Sequence, residues 1–86
     1  MNNWNTRIAS DIIRDGLAVE LLSLDGDVVA EVFRSDATHT VHVTCWSDAV
    51  TQEVLDRLLP YSLAKLNTFE DGAPLPPIAQ WQVIRE

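Results

Sequence analysis

Hydrophobic and polar side chains alternate most regularly between residues 17 and 46, and this pattern predicts β-strands. The strand candidates are residues 17–22, 28–33 and 40–46. Asp25-Gly26 lies between the first two candidates and is a strong hairpin signal, while residues 35–38 can form a four-residue turn before the third. We therefore predict a three-stranded antiparallel meander over residues 17–46.

The segment before the meander shows a different period, which predicts a short N-terminal helix. The apolar side chains that recur at every fourth position are Trp4, Ile8 and Ile12. Asn2 or Asn3 can cap the start of this helix, and Gly16 occupies the position after its end where a left-handed residue is favoured.

After the meander, residues 51–66 have the pattern of a longer helix, with Thr51 as a good N-cap. Its apolar stripe consists of Val54, Leu55, Leu58, Leu59, Leu63 and Leu66. Pro60 lies inside this stripe, and a proline in a helix interior lacks a donor and clashes with the preceding turn. One helix kinked at Pro60 and two short helices broken there both fit the sequence.

The C-terminal region begins with Pro74-Leu75-Pro76-Pro77, which is too rich in proline for a helix or a central strand. This segment contains a PxxP pattern, but no basic residue flanks it, so we interpret it as a connector. Ala79, Trp81 and Val83 then alternate with glutamines, which allows a C-terminal edge strand. Together these elements predict one α+β domain over residues 1–86.

The period of two assigns the strand residues to two faces and suggests how the strands pair. If Arg34 pairs with His39 across the second turn, Val32 lies opposite Val41. A two-residue loop at Asp25-Gly26 places Glu20 directly opposite Glu31, an unfavourable like-charge pair. Either His42 or Arg34 relieves this pair, or the loop is longer by two residues and the register slides.

One face of the predicted meander is uniformly apolar and can pack against the second helix, but the other face is also unusually apolar. The second face carries Leu22, Val29, Phe33 and Trp46 together with polar residues such as Glu31 and His42. An apolar patch of this kind needs a cover. The candidates are the N-terminal helix, the C-terminal segment with Trp81, or a second subunit or partner protein, and the two internal covers are together favoured.

The residues of the predicted interaction surface are Phe33, Trp46, Val29, Leu22, Glu31, His42 and Trp81. Aromatic side chains are the ones that protein interfaces favour. Glu31 and His42 are expected to be neighbours on this face, and we interpret them as a surface charge pair.

The residue types that could support catalysis or metal binding are not brought together by the predicted sheet. His42 and Cys45 face opposite sides of the third strand, and so do His39 and His42. Zinc needs three or four convergent ligands, and a thiol nucleophile needs a histidine within hydrogen-bonding distance. No cofactor motif is present either. We therefore expect no catalytic, cofactor or metal site.

The composition bears on partners and location. Thirteen acidic against six basic residues give a formal charge of −7, which disfavours direct nucleic-acid binding and suits a basic partner. A single cysteine, no signal peptide and no long apolar segment predict a cytoplasmic protein without membrane contact.

The best functional hypothesis is a non-enzymatic protein-binding domain, of the kind that inhibits or regulates a basic protein or assembles with itself as a homodimer. The alternative is a small-molecule-binding or accessory domain of an enzyme system. A closed apolar cavity beneath Trp46 or Trp81 would favour a ligand, and an open apolar face would favour a protein partner.

Overall fold

The computed structural model describes residues 4–86, which form a five-stranded mixed sheet and one α-helix. The strands are β1 (Asn5–Asp11), β2 (Gly16–Leu22), β3 (Val28–Ser35), β4 (Thr40–Cys45) and β5 (Gln82–Arg85). The helix α1 spans Gln52–Leu66, and a short 3₁₀ turn at Ile78–Gln80 precedes β5. The strand order is β1-β2-β3-β4-β5, antiparallel except for the parallel pair β4 and β5.

The predicted meander is confirmed as strands β2 to β4, but the predicted N-terminal helix is wrong. Residues Asn5–Asp11 form β1, an antiparallel neighbour of β2. Ile12 and Ile13 lie in the connecting turn with 93% and 97% of their surface exposed, so the fourfold apolar spacing does not form a packed stripe. Pairing with β1 satisfies main-chain groups of β2 that would otherwise lack partners. The proposed caps Asn2 and Asn3 lie outside the described residues.

The role of Gly16, which follows the turn between β1 and β2, differs from the predicted one. Asp15, not Gly16, adopts the positive φ angle, at 54°. A Cβ atom on Gly16 would lie 2.1 Å from the carbonyl oxygen of Arg34 and 2.5 Å from Cζ of Phe33. Glycine is required at this position because the neighbouring strand and the Phe33 ring approach its Cα closely.

The predicted pairing of β2 with β3 is correct along most of its length, with Glu20 opposite Glu31, although the register shifts between Leu21 and Leu22 near the turn. In contrast, the predicted pairing of β3 with β4 is wrong by two residues. Val32 lies opposite Val43 rather than Val41, because the turn consists of residues 36–39. A shift of two preserves the side of the sheet on which each side chain lies, so the facial assignment holds.

Helix α1 covers one side of the sheet, which we call the inner face, and continues through Pro60 as one element. Its N-cap is Thr51, as predicted, whose side chain accepts a hydrogen bond from the Val54 N–H. At its other end, the Arg34 guanidinium donates to the carbonyl oxygens of Leu66 and Thr68 at 2.8 and 2.7 Å. This inner-face arginine therefore satisfies a terminal helix carbonyl and ties the helix end to β3.

The core lies between α1 and the inner face, where most apolar residues of β2, β3 and β4 are fully buried. The C-terminal edge strand allowed by the sequence is present as β5, parallel to β4. Trp81 precedes it and is buried in the core cluster, with its indole N–H donating to the Pro76 carbonyl at 2.8 Å. The proline-rich segment thus positions a core tryptophan.

Candidate functional site

The opposite side of the sheet, which we call the outer face, is not covered by α1. Of the seven residues of the predicted interaction surface, the alternation of the strands places Glu31, Phe33 and His42 on this face. The register shifts beside Leu22, and Val29 packs against the core cluster, so the alternation does not assign these two residues to the outer face. Trp46 follows β4, and its main-chain N–H donates to the Val29 carbonyl, so it continues the same pattern. Trp81 does not join them, because it packs into the core.

One part of the outer face is covered by Arg14, a residue of the β1–β2 turn. Its guanidinium lies over the Phe33 ring, with Cζ 3.9 Å from the ring centroid. The same group donates two parallel hydrogen bonds to Glu31, at 2.8 and 2.9 Å. Phe33 and Glu31 are both buried as a result. A single arginine therefore provides an apolar contact, a cation–π contact and a bidentate ion pair.

Arg14 is itself held in position by Asp11 at the other end of the turn. The Asp11 carboxylate accepts hydrogen bonds from the main-chain N–H and the guanidinium of Arg14. These bonds lower the pKa of Asp11, the main-chain N–H having the larger effect. The pKa of Arg14 is raised, first by its hydrogen bonds to Glu31 and then by Asp11. The turn thus presents the guanidinium in a fixed orientation.

These contacts show how the sheet tolerates Glu20 directly opposite Glu31. Arg7 binds Glu20 at 2.7 Å from the neighbouring strand, while Arg14 binds Glu31. The prediction that His42 or Arg34 would relieve the pair is wrong, because Arg34 is directed to the inner face and helix α1. Both arginines belong to the segment whose apolar spacing predicts a helix, and a helix there would not place them beside Glu20 and Glu31 on neighbouring strands.

His42 is on the outer face as predicted, but it lies opposite Phe33, whereas Thr44 lies opposite Glu31. Its Nε2 atom is 2.8 Å from the Thr40 hydroxyl. The predicted pairing of His42 with Glu31 is therefore corrected: the carboxylate is paired with Arg14. His42 is instead part of the lining of an open concavity.

This concavity of about 450 Å³ occupies the middle of the outer face. Phe33, His42 and Thr44 line it, with Arg14 at one side and Ile84 of β5 at another. Ile84 is 37% exposed. The concavity is a broad depression that opens to solvent rather than an enclosed cavity, so it has the shape of a docking surface more than that of a ligand pocket.

Trp46 stands beside this region with 44% of its surface exposed, more than any other phenylalanine, tyrosine or tryptophan among residues 4–86. Its indole N–H donates to the Glu86 carboxylate at 2.9 Å, which fixes the ring and leaves part of its apolar surface open. Trp46 and Ile84 thus form the bare part of the outer face, and Arg14 protects the other part.

Cys45 and His42 lie on opposite sides of β4, as its alternation predicts, whereas His39 lies outside this strand. Cys45 is buried in the core on the inner face, where burial raises the pKa of its thiol. His39 lies in the β3–β4 turn, stacked on Phe69 with ring centroids 4.5 Å apart, and its Nε2 is 2.9 Å from the Asp71 carboxylate. Within residues 4–86, these three side chains do not belong to a cluster of three or more metal-ligating groups.

A group of acidic side chains that the sequence did not suggest lies at one end of the sheet. Carboxylate oxygens of Asp15, Asp36 and Glu70 lie within 4.8 Å of one another, although they come from two turns and the loop after α1. Oxygen donors of this type suit hard cations. However, the Asp36 carboxylate already accepts hydrogen bonds from Arg34 and from the Glu70 main-chain N–H. The exposed carboxylates of this group, which could donate oxygen ligands to a cation, are those of Asp15 and Glu70.

Comparisons with known proteins provide no family assignment: no family model, curated protein or solved structure matches this chain. Within residues 4–86, no helix combines the length and apolar character needed to cross a bilayer. The outer face is therefore interpreted from its own geometry.

Proposed function

We propose that this chain is a non-enzymatic protein-binding domain that docks a positively charged partner protein on its outer face. The observation that carries the proposal is the bare part of that face, where Trp46 and Ile84 are exposed beside the open concavity. Interface hot spots are typically large side chains, tryptophan above all, that become fully desolvated in the complex. Arg14, already held rigidly at the other side, offers guanidinium surface without further loss of conformational freedom.

The preference for a basic partner is supported by the charge of the whole chain rather than by the face alone. On the outer face, Arg7 and Arg14 are paired with acidic residues, so most local charge is balanced. The formal charge of −7 therefore comes mainly from elsewhere on the surface. A field of this kind steers a basic protein toward the domain and accelerates association, while the apolar patch provides the contact.

The test is capture from an extract of the source cell, with the protein immobilised as wild type and as the variants Trp46→Ser and Ile84→Ser. Val83→Ser is the matched control, because Val83 is the neighbouring residue of β5, lies on the opposite side and is 44% exposed. We expect a protein that wild type and Val83→Ser retain and that both outer-face variants lose. Thermal unfolding of each variant verifies that it is folded.

The captured protein is then purified and its binding kinetics are measured at two salt concentrations. Steered association predicts that the on-rate falls about tenfold or more between low and high salt, with a much smaller change in the off-rate. Equal loss of the partner with Val83→Ser would contradict the proposed surface. An on-rate that does not change with salt concentration would contradict the proposal that the partner is positively charged.

A second candidate, binding of a small molecule, is favoured by the size and lining of the concavity. Its volume of about 450 Å³ lies within the range of ligand sites, and His42, Thr44 and Arg14 offer polar groups beside apolar surface. The same extract separates the two candidates. If its low-molecular-weight filtrate shifts the NMR signals of Thr44 and Ile84 and the protein fraction does not, the small-molecule function replaces the protein-binding one.

A further inference from the structure

The outer edge of β1 is a second exposed feature, and two hydrogen bonds identify which of its main-chain groups point away from the sheet. The Asp36 N–H donates to the Asp15 carbonyl at 2.9 Å, so odd-numbered residues of β2 bond to β3. The Trp46 N–H donates to the Val29 carbonyl at 2.9 Å, so odd-numbered residues of β3 bond to β4. The even-numbered residues of β3 are then the ones that bond to β2, in agreement with the first hydrogen bond. Even-numbered residues of β2 therefore bond to β1.

The register of β1 with β2 carries this alternation to the edge of the sheet. Arg7 lies opposite Glu20 and Ala9 opposite Ala18, so the odd-numbered residues of β1 bond to β2. The even-numbered residues Thr6, Ile8 and Ser10 consequently direct their N–H and C=O groups outward. Within residues 4–86, they form a regular row of donors and acceptors without a partner strand.

This edge has little of the usual protection against strand pairing, because its two charged residues, Arg7 and Asp11, lie on the outer side and are paired with Glu20 and Arg14. β1 has seven residues, contains neither proline nor lysine and pairs with β2 without a shift in register. Edge strands are normally shortened, bulged or interrupted by such residues, because an unprotected edge invites another strand. The opposite edge, β5, has four residues.

Apolar surface accompanies the exposed backbone on the inner side of this edge. Ile8 is 47% exposed although it lies beside the buried Val19. Tyr61 of α1, also partly exposed, accepts a hydrogen bond from the Thr6 hydroxyl at 3.0 Å, which holds its ring at the same edge. A strand added here would cover Ile8 and approach Tyr61.

We propose that β1 pairs antiparallel with β1 of a second copy of the chain, about a two-fold axis at Ile8. The outward-directed residues Thr6, Ile8 and Ser10 are symmetric about this position. Ile8 then lies opposite its own copy and Thr6 opposite the second copy's Ser10, so each pair is of the kind that exchanges two hydrogen bonds. An axis at Ala9 would leave Thr6 beyond the end of the paired strand.

The side chains on the inner side of β1 suit this register as well as the backbone does. On the inner side, the two isoleucines at the axis form an apolar pair, and the Thr6 hydroxyl faces a serine hydroxyl. On the outer side, Arg7 lies opposite the second copy's Ala9 and diagonal to both its Asp11 and its Arg7, so one attractive and one repulsive charge contact accompany each other there. The pairing is isologous and closed, the commonest symmetry among homo-oligomers.

The result is one continuous sheet of ten strands, five from each copy, in which both helices cover the same side. The two outer faces then lie side by side on the other side and form a single surface. This inference does not depend on the proposed function, because it rests on the edge of β1 and not on Trp46 or Ile84.

Sedimentation equilibrium of the full chain tests the pairing with the variant Ile8→Lys, which places two ammonium groups face to face at the axis. Leu24→Lys is the control, because it makes the same change of charge at an exposed position in the β2–β3 turn. We expect Ile8→Lys to raise the dimer dissociation constant about tenfold or more, and Leu24→Lys to leave it within about twofold. A wild-type chain that stays monomeric at all concentrations would overturn the inference.

Amide hydrogen exchange of the wild-type chain locates the interface even if Ile8→Lys fails to fold. The amides of Thr6, Ile8 and Ser10 should exchange more slowly as concentration rises, whereas those of Arg7 and Ala9, already bonded to β2, should change little. Under mild oxidation, Ile8→Cys should form a covalent dimer more readily than Ala9→Cys. A dimer in which the even-numbered β1 amides show no added protection would place the contact elsewhere and refute the β1 pairing.

Discussion

The two faces of the sheet both carry apolar side chains, but they are covered in different ways. On the inner face, α1 lies across the strands, and Val19, Val32 and Val43 have no exposed surface. On the outer face, one arginine covers Phe33 and Glu31, while Trp46 and Ile84 remain exposed. Helix α1 buries a large apolar area of the inner face by packing against many side chains. Arg14 buries only Phe33 and Glu31, through contacts of fixed geometry. Stability should therefore depend mainly on the inner face, and binding on the outer face.

The largest expected effect comes from opening a cavity on the helix side of this comparison. Leu58 is fully buried between α1 and the sheet, and Leu58→Ala should lower the free energy of unfolding by about 2–5 kcal/mol. Urea unfolding followed by tryptophan fluorescence measures the change. A chain of 86 residues has limited stability, so the variant can be largely unfolded at 37 °C.

Ile84→Ala is the matched substitution on the outer face, because Ile84 is partly exposed and removing its methyl groups leaves no closed cavity. It should change the free energy of unfolding by less than about 1 kcal/mol. Equal losses for Leu58→Ala and Ile84→Ala would contradict the division of roles between the faces.

The elements that the sequence could reveal are those whose pattern is local. Strict alternation in β4 and the Asp25-Gly26 turn are sufficient to predict the meander and the face of most strand residues, except beside Leu22, where the register shifts. The pairing of β3 with β4 was missed by two residues, because it depends on the exact turn. His39 adopts a positive φ of 53° and Asp36 bonds to Glu70, a residue from a distant loop. Turn chemistry of that kind is not visible in a pattern of hydrophobicity.

The N-terminal strand was missed because a fourfold spacing of isoleucines imitates a helix. The competing signal was Asp11, whose carboxylate accepts the Arg14 N–H, together with Asp15-Gly16, a pair suited to a tight turn. This error also concealed the cover of the outer face. Of the predicted interaction residues, the sheet parity places Glu31, Phe33 and His42 on the outer face, whereas Trp81 is buried because its position depends on the path set by Pro76 and the 3₁₀ turn.

A smaller effect is expected from removing Arg14, which covers the outer face. Arg14→Gln leaves Glu31 buried without its cation and uncovers Phe33, so it should lower the free energy of unfolding by about 1–2 kcal/mol; the partial exposure of Arg14 keeps the loss below that of a fully buried pair. The measurement is urea unfolding at neutral pH.

Arg7→Gln is the control for this substitution, because Arg7 binds a single carboxylate, Glu20, and is more exposed. It should cost less than about 1 kcal/mol. Arg14→Lys retains the charge but not the planar fork, and it should recover less than half of the loss. A larger loss for Arg7→Gln than for Arg14→Gln would show that Arg14 does not hold the outer face together.

The smallest expected effect is a dependence of stability on pH, and it arises on the outer face, where Asp11 binds Arg14. Hydrogen bonds from Arg14 lower the pKa of Asp11 below its ordinary value of 3.8, so the unfolded chain binds a proton at this site more readily than the folded chain. The contribution of Asp11 to stability is therefore fully present above pH about 4 and is lost as the pH falls through the lower pKa of the folded state. At neutral pH, Asp11→Asn should slightly lower the midpoint of unfolding. Between pH about 4 and 2.5, the midpoint of this variant should fall less than that of the wild type. Parallel midpoint curves for Asp11→Asn and wild type across this range would show that the carboxylate does not orient Arg14, and that the outer face is held by Glu31 and Phe33 alone.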